Sequence, residues 1–301
     1  MIKLGFDIGG TTVKAGAVDE EYRIIRKLAR PTPKCDGAAL CLLIADMARE
    51  LANGDEISAL GITVPGSVDK EGRIVAAVNL GLFDFPIREK MEKLTSVNEV
   101  IVRNDADAAG EAELALGALK GVNTGLILTI GTGVGGCLVL GGRLFHGGLD
   151  RGTELGHAML DRGGMLCGCG HRGCIETLCS ATAIRRLAEA ACREEDGMIR
   201  ELAEKGREVD AKLLIDCAIA GDGEALRLFD EYTDALADAI ASFVNILDPE
   251  VIVLGGGVSG AGDFILDPLR KKVPEKCFFG SCGKILAAEA GNDAGVIGSL
   301  I

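Results

Sequence analysis

No run of 18 apolar residues occurs in this 301-residue chain, so no segment is long enough for a membrane-spanning helix. The first residues, MIKLGFD, pass straight into a strand pattern without the apolar core of a signal peptide, and we expect a cytoplasmic protein. Positive charge is scarce. Lys and Arg number 32 against 45 Asp and Glu, a formal net charge of −13. An acidic surface gains no counterion release from a polyanion, which argues against nucleic acid or anionic membrane as a general partner. There is no low-complexity linker, no GxxxxGK[ST] phosphate loop, and no tryptophan. The only charge run, Arg193 to Asp196, reads as the solvated end of a helix.

What the chain does contain fits a well-cored globular protein. It is 48% hydrophobic, and its length suits two ordinary domains. IKLGFD, VKAGAVD and YRIIRKL predict strands, and ISALGITV a further strand after a helix from about Asp36 to Leu51. That helix carries Leu40, Leu43, Ile44, Met47 and Leu51 on one face. EVIVRND predicts a strand leading into a small-residue helix from about Ala106 to Ala118. GLILTIG and GGCLVL form a hairpin-like pair. A long helix from Glu224 to Leu247 places Leu226, Phe229, Leu236, Ile240, Val244 and Leu247 at helical spacing, and EVIVLGGG and KILAAE supply late strands. This alternation is an α/β pattern.

Two segments resemble one another. FDIGGTTVKAGAV near the start and LTIGTGVGGCLVL near the middle both read strand, Gly/Thr turn, strand. A tight turn between antiparallel strands uses glycine for positive φ and for close approach of a ligand to the backbone. Threonine hydroxyls and freed N–H groups then suit phosphate oxygens. The arrangement is no Rossmann fingerprint, because the turn leads into a strand and not a helix. One such turn is an ordinary hairpin; two suggest a phosphate chain held between two related domains.

Eleven cysteines are many, and Cys167, Cys169 and Cys174 crowd into eight residues. Without an export signal, metal ligation fits the cluster better than disulfides. Spacing offers His157, His171 or Cys179 as the fourth donor of a tetrahedral zinc site, and His171, two residues from Cys169 in a tight loop, is expected to point out. The scattered cysteines, such as Cys41, Cys137 and Cys217, read as small buried hydrophobes.

The motifs in order resemble the ROK family (repressors, open reading frames and kinases) of the actin/hexokinase-like ATPase superfamily. Asp7-Ile8-Gly9-Gly10-Thr11 resembles its first phosphate motif, and Gly131-Thr132-Gly133-Val134-Gly135-Gly136 its second. Glu154-Leu155-Gly156-His157 and the stretch from Cys167 to Glu176, CGCGHRGCIE, resemble its two signature segments. Leu254-Gly255-Gly256-Gly257 resembles the glycine run near the adenosine, and Asn292 to Ile301 the closing helix.

That resemblance implies a two-domain actin-like ATPase (ribonuclease H-like) fold with an inter-domain cleft. The small domain would cover 1–106 and regain the helix at about 290–301; the large one would cover 107–289. The implied activity is transfer of the γ-phosphoryl of MgATP to a sugar hydroxyl, O6 of a hexose, with Asp105 as the base that accepts the hydroxyl's proton. From the residues alone, Asp105 could equally cap the helix that follows it, and Asp107 decorates that helix start. Asn79, Asn104, Asp105, Glu154, His157 and Glu176 match positions that ring the sugar. Asp7 would hold Mg²⁺ through water, and Gly9, Gly10, Thr11, Thr12, Lys14, Gly131, Thr132, Gly133, Gly255 and Gly256 would bind the nucleotide. His157, Cys167, Cys169 and Cys174 would hold a structural zinc. A homo-oligomer, a dimer, is also expected.

Glucose is the first acceptor on this reading. Mannose, fructose, allose and the N-acetylhexosamines stand as alternatives, because Leu82 replaces the tryptophan of the common glucokinase pattern. Two other function classes compete with a kinase. A repressor of this family carries a helix-turn-helix domain before the first turn, which here begins at residue 7. A catalytically dead binder is disfavoured by the intact Asp105 and both turns.

Overall fold

The computed structural model describes residues 1–148, 152–194 and 197–301. Of the expected charge run, Glu195 and Asp196 lie outside these residues. The chain forms two compact units, Met1–Lys120 with Leu144–Gly152 and Ala290–Ile301, and Gly121–Arg143 with Thr153–Glu289.

In the first unit, β1 (Ile2–Ile8), β2 (Thr12–Val18) and β3 (Ile24–Pro31) form an antiparallel meander. Helix α1 (Gly37–Ala52) leads to β4 (Ile57–Val64), which runs parallel to β1. A small sheet of β5 (Ser67–Val68), β6 (Ile74–Ala77) and β7 (Leu82–Phe85) follows, then α2 (Ile87–Thr95). Strand β8 (Val100–Asn104) pairs parallel to β4 and passes directly into α3 (Asp105–Leu116). The main sheet has the order β3-β2-β1-β4-β8.

Alternation on β1 puts Leu4, Phe6 and Ile8 into one core with Leu40, Ile44, Met47 and Leu51 of α1; Leu43, expected on that face, packs at its margin. Asp36 caps α1 by accepting the Ala39 N–H at 2.9 Å, and Asn53 ends it in a left-handed conformation.

The second unit opens with β9 (Thr124–Ile130), β10 (Val134–Leu140) and β11 (Arg143–Leu144). Helices α4 (Ile175–Cys179), α5 (Ala181–Glu194), α6 (Met198–Glu204), α7 (Ala211–Ile219) and α8 (Gly223–Leu247) follow. Strand β12 (Val251–Gly255), α9 (Asp263–Lys276) and β13 (Lys284–Ala287) complete it. Its sheet has the order β11-β10-β9-β12-β13, again an antiparallel pair continued by parallel strands. The long helix forms as expected, but Leu226 is 41% exposed while Leu228 is buried. The first turns of α8 bury the side that carries Ala225, Leu228 and Phe229, where Phe229 stacks on Phe264 at 4.8 Å.

The chain returns to the first unit with α10 (Ala294–Gly298). Gly16, Gly5 and Gly61 stand in register on β2, β1 and β4 and form a trough for it. A Cβ on Gly5 would lie 2.1 Å from the Val296 carbonyl oxygen, and one on Gly61 2.3 Å from that of Ser299. No side chain fits there. Helix α10 also packs on α3, so the first unit runs past the expected boundary at residue 106. Buried Glu113 of α3 ties the returning chain by accepting the Ala290 N–H at 2.7 Å and the Ala118 N–H at 2.8 Å.

Cys41, Cys137, Cys179, Cys217 and Cys277 are buried as expected of small hydrophobes; Cys192 and Cys282 are half-buried. Cys35 is the exception and is exposed. Among the described residues no helix is long and apolar enough to cross a membrane.

Candidate active site

In the first unit, the expected residues gather at the carboxyl ends of three neighbouring parallel strands, β1, β4 and β8, where open α/β sheets bind ligands. Asp7 sits one residue before the end of β1, with Lys14 opposite it on β2 and Thr63 opposite it on β4. Thr63 is fully buried and donates its hydroxyl to Asp7 Oδ1 at 3.1 Å, so the carboxylate is aimed by a group that sequence reading passed over. The first turn closes with the Gly9 N–H donating to the Thr12 carbonyl at 2.9 Å. Thr32 clamps it from β3's end, its hydroxyl donating to the Gly9 carbonyl at 2.7 Å and its N–H to the Thr11 carbonyl at 3.0 Å. Asn79 lies on a 3-10 turn, Val78–Leu80, beside Gly10.

The structure separates the roles of the Asn-Asp pair. Asn104 is the N-cap of α3 and accepts the Ala106 and Asp107 N–H groups at 2.8 and 3.2 Å, while its amide donates to the Gly66 carbonyl at 3.0 Å. Asp105 is the first residue of α3 and is exposed, so the capping reading belongs to Asn104. Asp107 stands in the first turn of α3 as expected, and it has a partner besides. It is partly buried, and burial raises its carboxyl above the ordinary range against the opposing pull of His146, whose Nδ1 lies 3.4 Å away, and of Arg103. Nothing in the spacing of 107 and 146 signals this pair.

In the second unit, the Gly131–Gly133 turn closes with the Gly131 N–H donating to the Gly133 carbonyl at 3.0 Å. The chain around α4 and α5 braces it. Ala181 N–H donates to the Gly131 carbonyl at 2.8 Å, and the Thr182 hydroxyl to that of Thr132 at 2.6 Å. Glu176, expected among the residues that ring the sugar, accepts the Val134 N–H at 3.1 Å. Gly256 needs its glycine: φ is 81°, and a Cβ would lie 2.4 Å from the Ile130 carbonyl oxygen.

A cavity of about 540 Å³ adjoins this turn. Thr132, Thr182, Arg185, Lys212, Ile215 and Val258 are among its walls. Of the pair expected here, Gly255 ends β12 and Gly256 follows it, but Gly257, Val258, Gly260 and Ala261 line the cavity instead. The walls from α5 and α7 were missed by the motif reading, because helices that line a cavity with mixed polar and apolar residues look like any amphipathic helix.

His157, Cys167, Cys169 and Cys174 bring their donor atoms within 4.8 Å of one another. His171 lies beside this set, its Nδ1 3.6 Å from Cys169 Sγ, and Cys179 is buried away in the core. Three soft sulfurs and one imidazole are the donor set of a closed zinc site. The surroundings of the three thiols differ. The His171 N–H and ring lower Cys169 to about 6, whereas burial pushes Cys167 up to about 12 and raises Cys174. Glu154 is exposed and accepts the His157 N–H on its carbonyl at 3.0 Å, across a 3-10 turn, Leu155–His157.

The model of the ROK family matches residues 3–301. The chain belongs to that family. Among its relatives, a glucokinase from Thermotoga maritima is 37% identical over 98% of this chain and 95% of its own length. An N-acetylmannosamine kinase from Citrobacter koseri is 32% identical over 100% and 98%. The crystal structure of a ROK family glucokinase from Streptomyces griseus, in complex with glucose and AMPPNP, superposes with a TM-score of 0.87 at 31% identity, over 99% of this chain and 98% of that one.

Proposed function

We propose that this ROK protein is an ATP-dependent sugar kinase of glucokinase type, transferring the γ-phosphoryl of MgATP to O6 of a hexose, with glucose as the preferred acceptor. The observation that carries the reading is the placing of Asp7, and of Asn104 with Asp105, at the carboxyl ends of parallel strands β1 and β8, on either side of β4. Full-length likeness to glucokinases supports it. The common strand order of the two sheets supports a two-domain actin-like ATPase of the ribonuclease H-like class.

In this mechanism Asp105 accepts the proton of the attacking hydroxyl, and Asn104 holds the start of α3 so that Asp105 keeps its place. Asn79, Asn104, Glu154, His157 and Glu176 bind sugar hydroxyls, for which paired donors and acceptors are required. The turns at Gly9–Thr12 and Gly131–Gly133 receive phosphates on backbone N–H groups. Lys14 offers charge to the phosphates, Gly255 and Gly256 bind the nucleotide where the chain leads into Gly257 and Val258 of the nucleoside cavity, and Arg185 adds a cation to its wall. Asp7 would hold Mg²⁺ through water, the ion neutralising phosphate charge. His157, Cys167, Cys169 and Cys174 would hold a zinc that fixes the loop carrying Glu154 and Glu176.

Leu82 supports a second acceptor class, the N-acetylhexosamines N-acetylmannosamine and N-acetylglucosamine, or mannose, fructose or allose, because it stands where the glucokinase pattern has tryptophan. An ADP-release assay across these sugars tests both readings. Glucose should give the highest kcat/KM. Another sugar in first place would move the specificity, and no sugar-dependent ADP release would sink the kinase reading.

A further inference from the structure

We propose that Glu176 is a positioning residue for the Gly131–Gly133 turn, and that the zinc loop sets its position. The inference rests on the kinase reading, in which that turn receives nucleotide phosphates. The two carboxylate oxygens of Glu176 face different ways. Oε2 accepts the Val134 N–H at 3.1 Å and lies 2.2 Å from where a Cβ on Gly133 would stand. Oε1 faces Cys167 Sγ at 3.5 Å. Cys174 immediately precedes α4 and Glu176 is its second residue, so a metal that holds the Cys174 sulfur fixes the start of the helix and the carboxylate with it.

Electrostatics points the same way. A carboxylate beside a phosphate site repels its ligand, so its presence there calls for a compensating role. Orienting the backbone supplies that role, since Glu176, Ala181 and Thr182 together grip the turn at Val134, Gly131 and Thr132. The accepting oxygen, not the negative charge, is then what the turn requires. A glutamine keeps an acceptor for Val134 and offers its amide N–H to the Cys167 sulfur. Aspartate, one methylene shorter, draws the accepting oxygen back from the Val134 N–H.

The test is calorimetric titration of zinc-loaded protein with a non-hydrolysable ATP analogue and Mg²⁺, without sugar, and with zinc content measured in each variant. Glu176→Ala and Glu176→Asp should weaken the analogue by about tenfold or more, the scale of a charge-assisted hydrogen bond, while Glu176→Gln stays within about threefold of the parent. Removing zinc from the unsubstituted protein by chelation should weaken the analogue to the same degree as the alanine change. Analogue affinities unchanged in Ala and Asp variants would overturn the proposal, as a purely sugar-binding glutamate predicts. So would a Gln variant as weak as Ala. An alanine variant that loses zinc or fails to fold leaves the Gln and Asp pair to decide. An unsubstituted protein that binds no analogue counts against the kinase reading itself.

Discussion

Asp7 and Thr129 occupy the same place in two sheets of the same strand order, each two residues before the turn that joins the first two strands of its meander. Around Asp7, the next parallel strands bring Thr63, Asn104 and, at the start of α3, Asp105, groups able to aim a carboxylate or accept a proton. Around Thr129, the next parallel strand ends in Gly255, and Gly256 follows it toward the cavity that begins at Gly257. The bracing differs too. Thr32 alone clamps the first turn by two hydrogen bonds, whereas three residues of a helical segment grip the second. One scaffold therefore serves two purposes, and a few residues just past the strand ends decide which. The first unit's residues should act on turnover, the second unit's on affinity and stability.

Three substitutions probe that division and a fourth marks its limit within α3, and the largest effect is expected at Asp105. Asp105→Asn keeps shape and removes the proton acceptor, so kcat should fall by about 10²-fold or more with little change in sugar affinity. Turnover near that of the parent would end the contrast at once.

Cys169→Ser removes one of the four converging donors of the second unit. Zinc should drop below one equivalent per chain and the melting temperature should fall, since a structural zinc contributes directly to folding. A parent protein purified without chelators and found to be zinc-free would refute the site.

Glu154→Gln should weaken sugar binding by roughly 1.5–3 kcal/mol, the range for a charged hydrogen bond, and leave nucleotide binding unchanged. A loss below about 0.5 kcal/mol would mark Glu154 as an ordinary surface residue.

The smallest effect is set by pH. Burial raises Asp107, so the native state keeps a proton that the unfolded chain has already lost. Its favourable contribution is complete below the unfolded carboxylate range and disappears as pH rises through the native value. Asp107→Asn should therefore raise the melting temperature relative to the parent more at pH 7 than at pH 4. The reverse order would mean that His146 and Arg103 outweigh burial.

What the sequence made legible was whatever carries its own local signal. Strand-turn-strand punctuation marked both turns, the 3.6-residue period marked α1 and α8, and crowded cysteines marked three of the four converging donors. Choosing His157 over His171 or Cys179 took the family resemblance, because three-dimensional convergence leaves no trace in spacing. The same limit hid the hydroxyl of Thr63 under Asp7, the pairing of Asp107 with His146, and the second contact of Glu176. Each joins residues from separate elements whose approach is set by packing. Leu226 failed for a related reason: periodicity gives a helix face, but the partners of each turn decide where that face lies.

Gly16, Gly5 and Gly61, the trough beneath α10, touch none of the groups assigned to chemistry. A saturation mutational scan read by growth or activity would nonetheless rank Gly5 and Gly61 with Asp105, since any added side chain must displace the backbone of α10. Only a second readout, such as soluble abundance, would part the two kinds of intolerance. Positions lost through missing protein would map the seat of the final helix, and those lost at full abundance would map catalysis.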